Sequence, residues 1–501
     1  MDDREMDSFV ASNLTASTLI TKENDVSIKR RGKQLLLIAP RAAGWLVLDG
    51  LEAEFWHAMG RGGNWLELQT KQHPLGAKER EALMGRLYRV GLIKWNGRGY
   101  YNTDAMWQYG RRYPTFLCLH LTEACNFACK YCMADSVPSN GRMPVPTMEL
   151  ILAKCMRELP PKCLRFDFHG GEPLMAWEQM LHAVRFAREL NEKEGLGKEL
   201  SFIFQTNGSL LTADKVQILK DENIHVGVSM DGPAEVHDAN RVFAGSGRDG
   251  ADRGTHALVV KNYLAAREAG IRVGLLGVVH EPADYLKCFD YFVNELKARS
   301  FRLNYSSFIG RSVRMLDFPA TRAEAFADYW LQMIDRALAW CREHHEKLDI
   351  SDVDNQLNNL ISKQRPFMCY RSPCGVGNSI LGFAIDGGVH ACEEMASTGM
   401  LRLGSVFDEG FNLKDMVESN PLLLDLQKRT VDSIPRCRRC ELRRFCFGGC
   451  TSKTLAYYGD YMHESPMCRF YQRVFVGLMW RLYDNPDMLS YLGSRCCKPC
   501  C

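Results

Sequence analysis

The chain has 501 residues, of which 46% are hydrophobic, and its 63 Lys and Arg residues nearly balance 60 Asp and Glu residues, for a formal net charge of +3. This composition predicts a globular protein of two to four domains, and the charge balance offers no global electrostatic case for nucleic-acid binding. No apolar run is long enough for a membrane span, and the start MDDREMD is acidic where a signal peptide would be basic. A soluble cytoplasmic protein without a membrane or nucleic-acid partner is therefore expected.

The chain contains twenty cysteines. The cytosol keeps thiols reduced, so clustered cysteines in such a protein indicate metal binding rather than disulfides. Five cysteines stand apart in apolar or helical surroundings and are expected to be small buried side chains: Cys118, Cys155, Cys163, Cys288 and Cys341. The remaining fifteen form groups.

The N-terminal part is predicted to be a flexible tail over residues 1–20, followed by a small domain over residues 21–105. VSIKRRGKQLLLIAP and WLVLDG predict strands around a basic turn, LEAEFWHAM predicts a helix, and KEREALMGRLYRVGLIKWNGRGYY predicts a second helix and a hairpin-like end. This winged-helix arrangement resembles the RiPP recognition element, which in ribosomal-peptide biosynthesis grips the leader of a precursor peptide as an added strand. A DNA-binding winged helix and a structural cap are the alternatives.

Residues 113–310 alternate short apolar strands with amphipathic helices. The predicted strands are TFLCLHL, LRFDFH, LSFIFQ, HVGVSM, RVGLLGVV and FRLNYS. Six βα units predict an α/β fold with a parallel sheet closed or nearly closed into a partial (β/α)6 TIM-like barrel. A three-cysteine loop follows the first strand, GGEP the second, QTNG the third and SMDG the fourth. Loops beyond the carboxyl ends of parallel strands share one rim, so these four are expected together.

The rest of the chain divides into three predicted parts. Residues 311–366 form a helical bridge in which His344 and His345 are solvated helix surface. Residues 367–470 are rich in glycine, cysteine and short strands and form a separate domain, and residues 471–501 form a helix and a cysteine-rich tail.

The loop TEACNFACKYC places Cys125, Cys129 and Cys132 within eight positions. A structural zinc and a closed iron–sulfur cluster each take four ligands, so three thiolates leave one coordination position open. A small ligand with an amine and a carboxylate, such as S-adenosylmethionine, can fill that position. The C-x3-C-x2-C pattern after the first barrel strand, with Tyr131 before the last cysteine, resembles the radical S-adenosylmethionine (SAM) enzymes. A zinc site is the alternative.

This resemblance implies a [4Fe-4S] cluster on Cys125, Cys129 and Cys132 that donates one electron to bound SAM, and a 5′-deoxyadenosyl radical that abstracts a substrate hydrogen. It also implies that the neighbouring rim loops bind SAM: the GGEP glycines admit the methionine amino group, Ser229 meets the ribose, and Arg241 meets the methionine carboxylate. The cofactor-binding residues expected are Tyr131, His169, Gly170, Gly171, Glu172, Pro173, Ser229 and Arg241.

Eight further cysteines lie between residues 369 and 468, enough for two four-thiolate sets. Their spacing, with C-x2-C-x5-C-x3-C near its centre, resembles the SPASM domain. The resemblance implies two auxiliary [4Fe-4S] clusters, one near the substrate and one nearer the surface. The first would be held by Cys369, Cys374, Cys392 and Cys450, and the second by Cys437, Cys440, Cys446 and Cys468. Two or three zinc sites are the alternative.

Two features beside these cysteines carry further predictions. Glu393 directly follows Cys392. Related sulfatase-maturing enzymes have an aspartate at the matching place, where it is taken as a base, so Glu393 is the candidate catalytic base. The alternative is that Glu393 and Glu394 form a solvated surface pair without a catalytic role. The chain ends in CCKPCC, outside the family pattern, which is either a metal site or a mobile, oxidisable tail. Its cysteines are Cys496, Cys497, Cys500 and Cys501.

Together these features predict a radical SAM oxidoreductase that uses SAM and three [4Fe-4S] clusters to form a thioether or carbon–carbon crosslink in a ribosomally made precursor peptide, recognised through its leader. A low-potential electron donor such as flavodoxin or ferredoxin would be a partner. The alternatives within this class are a formylglycine-generating sulfatase maturase and a peptide epimerase. Outside it, a zinc-binding adaptor or nucleic-acid-binding protein is the alternative.

Overall fold

The computed structural model describes residues 14–107, 112–245, 254–306, 309–315, 320–365 and 367–493. The strands of these ranges are β1 (Leu19–Lys22), β2 (Ser27–Arg31), β3 (Gln34–Ala39), β4 (Gly44–Leu48), β5 (Gly62–Asn64), β6 (Ile93–Trp95), β7 (Phe116–Thr122), β8 (Cys163–Gly170), β9 (Glu199–Thr206), β10 (Ile224–Ser229), β11 (Val273–Val279), β12 (Ser300–Tyr305), β13 (Asp349–Ile350), β14 (Ile380–Phe383), β15 (Gly388–His390) and β16 (Arg402–Ser405). The α-helices are α1 (Gly50–Ala58), α2 (Trp65–Thr70), α3 (Ala77–Arg89), α4 (Thr103–Met106), α5 (Val145–Glu158), α6 (Trp177–Lys193), α7 (Ala213–Asp221), α8 (Ala234–Asn240), α9 (His256–Glu268), α10 (Asp284–Asp290), α11 (Ala320–His344), α12 (Ser351–Ile361), α13 (Glu393–Thr398), α14 (Leu413–Ser419), α15 (Pro421–Leu426), α16 (Arg443–Cys446), α17 (Thr451–Tyr458), α18 (Cys468–Asp484) and α19 (Met488–Leu492).

The N-terminal module contains two three-stranded antiparallel sheets, in the orders β2-β3-β4 and β5-β1-β6. Strand β1 begins inside the predicted tail, because Ile20 is fully buried in the core of the module and Leu14 is also buried. The hairpin-like end is present but short: an antiparallel bridge joins Trp95 to Arg98 across Asn96 and Gly97, and β6 itself pairs with β1.

Strand β3 is buried on both faces, which explains its continuous apolar run. Leu35 and Leu37 pack into the core of the module, whereas Leu36 and Ile38 belong to the core of the rest of the chain. Successive strand residues point to opposite faces of a sheet. One face of the β2-β3-β4 sheet therefore packs into the module, and its other face packs against the main body. Trp45 Nε1 adds a hydrogen bond to the Leu360 carbonyl at 3.1 Å.

The main sheet has ten strands in the order β13-β12-β11-β10-β9-β8-β7-β14-β15-β16. Strands β7 to β12 are parallel and correspond to the six strands predicted from the sequence. The sheet does not close on itself: β12 continues to β13, and the other edge of β7 pairs with β14 of the cysteine-rich region. The α/β fold with a partial barrel is therefore confirmed, and its sheet extends across the predicted boundary between domains.

The two faces of the barrel sheet differ in chemistry. The outer face packs against the helices through fully buried aromatic rings such as Phe166, Phe168 and Phe202. On the inner face, Asp167 and His169 of β8 lie in register with Cys118 and His120 of β7. A polar inner face is suited to binding a substrate rather than to forming a closed core.

Helices complete the bridge and the C-terminal region. Helix α11 packs against α18, and Arg481 on α18 pairs with Asp335 on α11. His344 and His345 are exposed at the end of α11, as predicted. Of the five isolated cysteines, Cys163 is only half-buried, with its Sγ 3.1 Å from Glu199 Oε2, and the other four are buried. No helix in the described ranges has the length and apolar character needed to span a membrane.

Candidate active site

The three-cysteine loop lies beyond the carboxyl end of β7, and the backbones of other rim segments hold it. The Ala128 amide donates to the Val242 carbonyl at 2.8 Å, and the Lys130 amide donates to the Asn240 carbonyl at 3.0 Å. Burial raises the pKa of the Cys125 thiol to about 12 and that of Cys129 to about 11. The charges of Cys129 and Cys132 contribute to the shift at Cys125, so the three thiols lie near one another.

The GGEP segment packs directly against this loop. Gly170 has a φ of +144°, and a Cβ there would lie 1.8 Å from the Thr122 carbonyl oxygen. The Gly171 and Glu172 amides donate to the carbonyls of Thr122 and Ala124, at 2.8 and 2.9 Å. The glycines were predicted to admit a ligand; in the structure they admit the backbone of the cysteine loop, for which a side chain leaves no room.

Glu172 links GGEP to the next rim loop. Its Oε1 accepts hydrogen bonds from Thr206 Oγ1 at 2.6 Å and from the Leu174 amide at 3.0 Å, and its Oε2 accepts from the Asn207 amide at 2.7 Å. The carboxylate is 1% exposed, and burial raises its pKa against these hydrogen bonds. Pro173 then begins a 3-10 helix, Pro173–Ala176. Both carboxylate oxygens of Glu172 therefore help to order the rim.

The SMDG segment contributes Asp231, which the sequence analysis did not single out although it lies within the quoted motif. Arg241 donates from Nε and Nη2 to the two carboxylate oxygens of Asp231 at 3.0 and 3.1 Å, and Tyr131 donates its hydroxyl to the same carboxylate. Burial alone would raise the pKa of Asp231, but the Arg241 charge lowers it overall. The fork of Arg241, predicted to meet a ligand carboxylate, is thus engaged by Asp231. Ser229 accepts a hydrogen bond from Gln205 Nε2 at 3.0 Å.

A loop after β12 forms a second support, for which no local pattern in the sequence is a signal. Arg311 donates from Nη1 to the Cys129 carbonyl at 2.8 Å, and its amide donates to the Cys132 carbonyl at 3.0 Å. Gly310, at φ +66°, lies so close that a Cβ would be 2.3 Å from the Met133 carbonyl oxygen. These contacts fix the end of the cysteine loop from the far side of the open barrel.

Four cysteines from separate segments gather beside the barrel mouth. Cys374 Sγ lies 3.0 Å from the hydroxyl of Thr451, the neighbour of Cys450. Burial raises the pKa of Cys450, with the charge of Cys369 adding to the shift, and burial raises the pKa of Cys392, with Cys450 adding to it. We call Cys369, Cys374, Cys392 and Cys450 the first C-terminal group.

The second C-terminal group lines a cavity of its own. Its members are Cys437, Cys440, Cys446 and Cys468, and all four line that cavity. Burial raises the pKa of Cys446, and the charges of the other three members add to the shift. The resemblance to the SPASM spacing implies the same two sets as cluster ligands, and this assignment stays a prediction. Among the described residues, no three Cys, His, Asp or Glu side chains converge tightly enough to bind a single metal ion. The tail with Cys496, Cys497, Cys500 and Cys501 lies outside the described residues.

A line of three ionisable side chains connects β8 to the first C-terminal group. His169 Nε2 lies 2.9 Å from Asp167 Oδ2, and His169 Nδ1 lies 3.4 Å from Glu393 Oε1. Burial alone would lower the pKa of His169, but the charges of Asp167 and Glu393 raise it to about 9. Glu393 is 16% exposed and Glu394 20%, and Glu394 pairs with Lys453 instead, so the two glutamates do not form a solvated pair.

Comparisons with known proteins place this site in context. The sequence model of the Radical SAM superfamily matches residues 119–287, which contain the three-cysteine loop and the GGEP and SMDG segments. The serine-type anaerobic sulfatase-maturating enzyme of Bacteroides thetaiotaomicron is 24% identical over 385 residues, 70% of this chain and 89% of that protein.

Two solved structures share the fold. Native anSMEcpe with bound AdoMet matches with a TM-score of 0.63 at 20% identity, covering 74% of this chain and 99% of that one. SuiB of Streptococcus suis bound to precursor peptide SuiA matches with a TM-score of 0.51 at 15% identity, covering 90% of this chain and 99% of that one. The tenth of the chain that SuiB leaves uncovered is shorter than the N-terminal module, so the shared fold extends into that module.

Proposed function

We propose that the chain, whose residues 119–287 match the Radical SAM superfamily, modifies a ribosomally made precursor peptide by forming a thioether or carbon–carbon bond within it. The observation that carries this proposal is the shared mouth of the barrel. The same polar inner face is bordered by three features: the loop with its three thiols, the His169–Glu393 pair and the first C-terminal group.

The side chains present fit the cofactors that this family implies. Cys125, Cys129 and Cys132 would hold a [4Fe-4S] cluster with one iron open to SAM, and each C-terminal group of four thiols would hold a closed [4Fe-4S] cluster. The cluster and SAM together supply a 5′-deoxyadenosyl radical that abstracts a hydrogen atom from the substrate. In this proposal, SAM would contact Tyr131, His169, Ser229 and the GGEP backbone.

The residues of the chain itself have separate tasks in this proposal. Glu393 accepts the proton that the substrate loses when the new bond forms, because its carboxylate lies at the barrel mouth next to Cys392. His169 positions that carboxylate through the 3.4 Å contact, and Asp167 fixes the other ring nitrogen of His169. The cysteines of the two C-terminal groups would hold closed clusters, which would supply an acceptor for the second electron that the substrate loses.

The N-terminal module would hold the leader of the precursor. Strand β3 is the centre of its sheet and is paired on both sides, so it has no free edge for a leader. The edge strand β2 pairs only with β3 among the described strands, and an extended peptide can add to such an edge. Arg30 and Ile28 are exposed on β2, which favours a leader with acidic and apolar residues.

Co-expression of the full chain with short peptides encoded near its gene, followed by mass spectrometry, tests the proposal. We expect a peptide that loses two hydrogens with the wild type and stays unmodified with Glu393→Gln, while Glu394→Gln retains the modification. No mass change with any such peptide would contradict the proposal. Binding of the same peptide to an Arg30→Glu variant, by calorimetry on the full chain, tests the leader site; unchanged affinity would exclude β2.

Sulfatase maturation is the second candidate, favoured by the 24% identity to a sulfatase-maturating enzyme over 70% of this chain. Incubation with a peptide that carries a sulfatase cysteine or serine motif separates the two functions. A formylglycine aldehyde, detected with a hydrazide probe, would establish maturase activity, and its absence together with a crosslinked precursor would exclude it.

A further inference from the structure

A cavity of about 730 Å³ lies at the end of the barrel opposite the cysteine loop. Residues that precede or begin β11, β12 and β13 line it, so it lies at the amino ends of these strands. Helix α19 forms another part of its wall. Cavities of roughly 300 to 1,000 Å³ commonly hold small molecules in proteins. We call this space the lower cavity, and none of the residues assigned to the barrel mouth lines it.

Cationic side chains outnumber acidic ones on the wall of the lower cavity. The cationic residues are Arg267, Arg272, Lys297, Arg299 and Lys347, and the acidic residues are Asp349 and Asp354. Lys297 and Lys347 are exposed, and neither forms an ion pair with an acid of the described residues. The side chain of Arg272 is 82% exposed and lies 3.4 Å from Asp349. The positive charge of these three residues is therefore largely uncompensated within the chain.

Strained backbone forms the part of the wall that carries Lys297. A π-helical turn, Tyr291–Glu295, follows α10, and Lys297 then has a φ of +53°, a left-handed conformation that is uncommon for lysine. Arg267 holds this segment, because its guanidinium donates to the carbonyls of Leu296 and Lys297. Both π-helical turns and left-handed residues other than glycine are frequent at functional sites. The strained residue here is one of the two unpaired lysines of the lower cavity.

The remaining wall of the lower cavity is apolar and aromatic. Ile271 and Tyr491 are half-buried, and Leu348 and Leu492 are buried. The Leu348 amide donates to the Tyr491 carbonyl at 3.4 Å, which joins the start of β13 to α19 along this wall. An inorganic anion would leave such a surface unused, whereas a flat organic ring would pack against it.

We propose that the lower cavity binds a nucleoside di- or triphosphate, at a site separate from the barrel mouth. Arg272, Lys297 and Lys347 bind its phosphates, because guanidinium and ammonium groups form charge-assisted hydrogen bonds with phosphate oxygens. The base packs against Ile271 and Tyr491. SAM is not the ligand expected here, because its sulfonium is cationic and it carries no phosphate.

Calorimetry with ADP and the full chain, under anaerobic conditions, tests this inference. We expect the wild type to bind ADP and Arg272→Gln/Lys347→Gln to bind it about tenfold more weakly, because charge-assisted hydrogen bonds are lost. Arg185→Gln/Lys193→Gln on the outer helix α6 is the matched control and should bind ADP like the wild type. Its arginine also has a loose ion pair, 3.7 Å from Glu222.

Lys297→Asn tests the strained residue separately. Asparagine tolerates a left-handed backbone, so the melting temperature should not fall, whereas the affinity for ADP should again fall about tenfold. Unchanged affinity in this variant would contradict the role of Lys297 in binding phosphate.

Three further outcomes would overturn the inference: no binding of ADP to the wild type, equal affinities of the two double variants, and displacement of ADP by SAM, which would place ADP at the barrel mouth. Pyrophosphate and adenosine, which each contain half of the ligand, should both bind more weakly than ADP. Pyrophosphate that bound as tightly as ADP would show an anion site without a position for a base, and adenosine that bound as tightly would show that the cations do not bind phosphate.

Discussion

The three-cysteine loop and the first C-terminal group are held in place by different means. The loop is one short continuous segment, and backbone hydrogen bonds from GGEP, from residues 240–242 and from Arg311 fix it. The first group instead gathers cysteines that lie up to 81 positions apart in the sequence, on segments placed by the pairing of β14 with β7. Changes near the loop should therefore act locally on one site, whereas the first group depends on how the C-terminal region joins the sheet.

The largest expected effect separates the loop from the C-terminal groups. Cys129→Ala and Cys446→Ala should each lower iron from about twelve to about eight atoms per chain, because each removes one ligand of a [4Fe-4S] cluster. Only Cys129→Ala should abolish the change that SAM causes in the electron paramagnetic resonance spectrum of the reduced protein. Loss of that change in both variants, or in neither, would show that the two regions are not separate sites.

Asp231→Asn tests the buried ion pair that supports the loop. The variant leaves Arg241 buried and without a charged partner, so the free energy of unfolding should fall by about 3–5 kcal/mol. Urea unfolding of the anaerobically purified protein measures this change. Asp349→Asn, which removes an exposed pair with Arg272, is the matched control and should lower the free energy by at most about 0.5 kcal/mol. If Asp231→Asn and Asp349→Asn lowered the free energy of unfolding equally, the role assigned to Asp231 would be refuted.

Gly170→Ala tests the close contact between GGEP and the loop. The added Cβ would collide with the Thr122 carbonyl oxygen at a positive φ, and a cost of about 3 kcal/mol in the free energy of unfolding is expected. Gly195 also has a positive φ, +61°, but faces open space, so Gly195→Ala should cost about 1 kcal/mol. The contact would be disproved if Gly170→Ala were no more destabilising than this control.

The smallest expected effect concerns His169, which links β8 to the first C-terminal group. Its pKa is raised to about 9 from an ordinary value near 6.5, so the protonated ring stabilises the folded protein. That stabilisation is fully present below about pH 6.5 and is lost as the pH rises through about 9. The melting temperature of the wild type should therefore approach that of His169→Gln between pH 6.5 and 9.5. A difference in melting temperature between the two proteins that does not change with pH would contradict the ion pairs of His169.

Sequence patterns predicted the strands of the barrel because each has a short apolar run bounded by turn residues, and the strand ends then placed four loops on one rim. Resemblance to a known spacing also divided the eight C-terminal cysteines into two groups, and their role as cluster ligands stays a prediction. The partners of buried charges were not predictable in this way. Asp231 and Arg241 are ten residues apart and Arg311 lies about 180 residues from the loop it supports, so their pairing depends on the folded sheet.

The strand that pairs with β7 at the open edge of the barrel was equally hidden in the sequence. Six βα units favour closure, but β7 pairs with β14, which belongs to the segment after Cys374. A four-residue strand 260 residues downstream carries no local signal of its partner. The N-terminal boundary was misplaced for a similar reason: Ile20 is buried by tertiary contacts, although residues 1–20 lack periodicity.

The central claim is that the three thiols of the loop hold a cluster with a position open to SAM. Measuring 5′-deoxyadenosine after anaerobic incubation of the reconstituted chain with SAM and dithionite tests it most directly. The account predicts release of 5′-deoxyadenosine by the wild type and none by Cys129→Ala. Failure of the wild type to release it, or equal release by both proteins, would contradict the account.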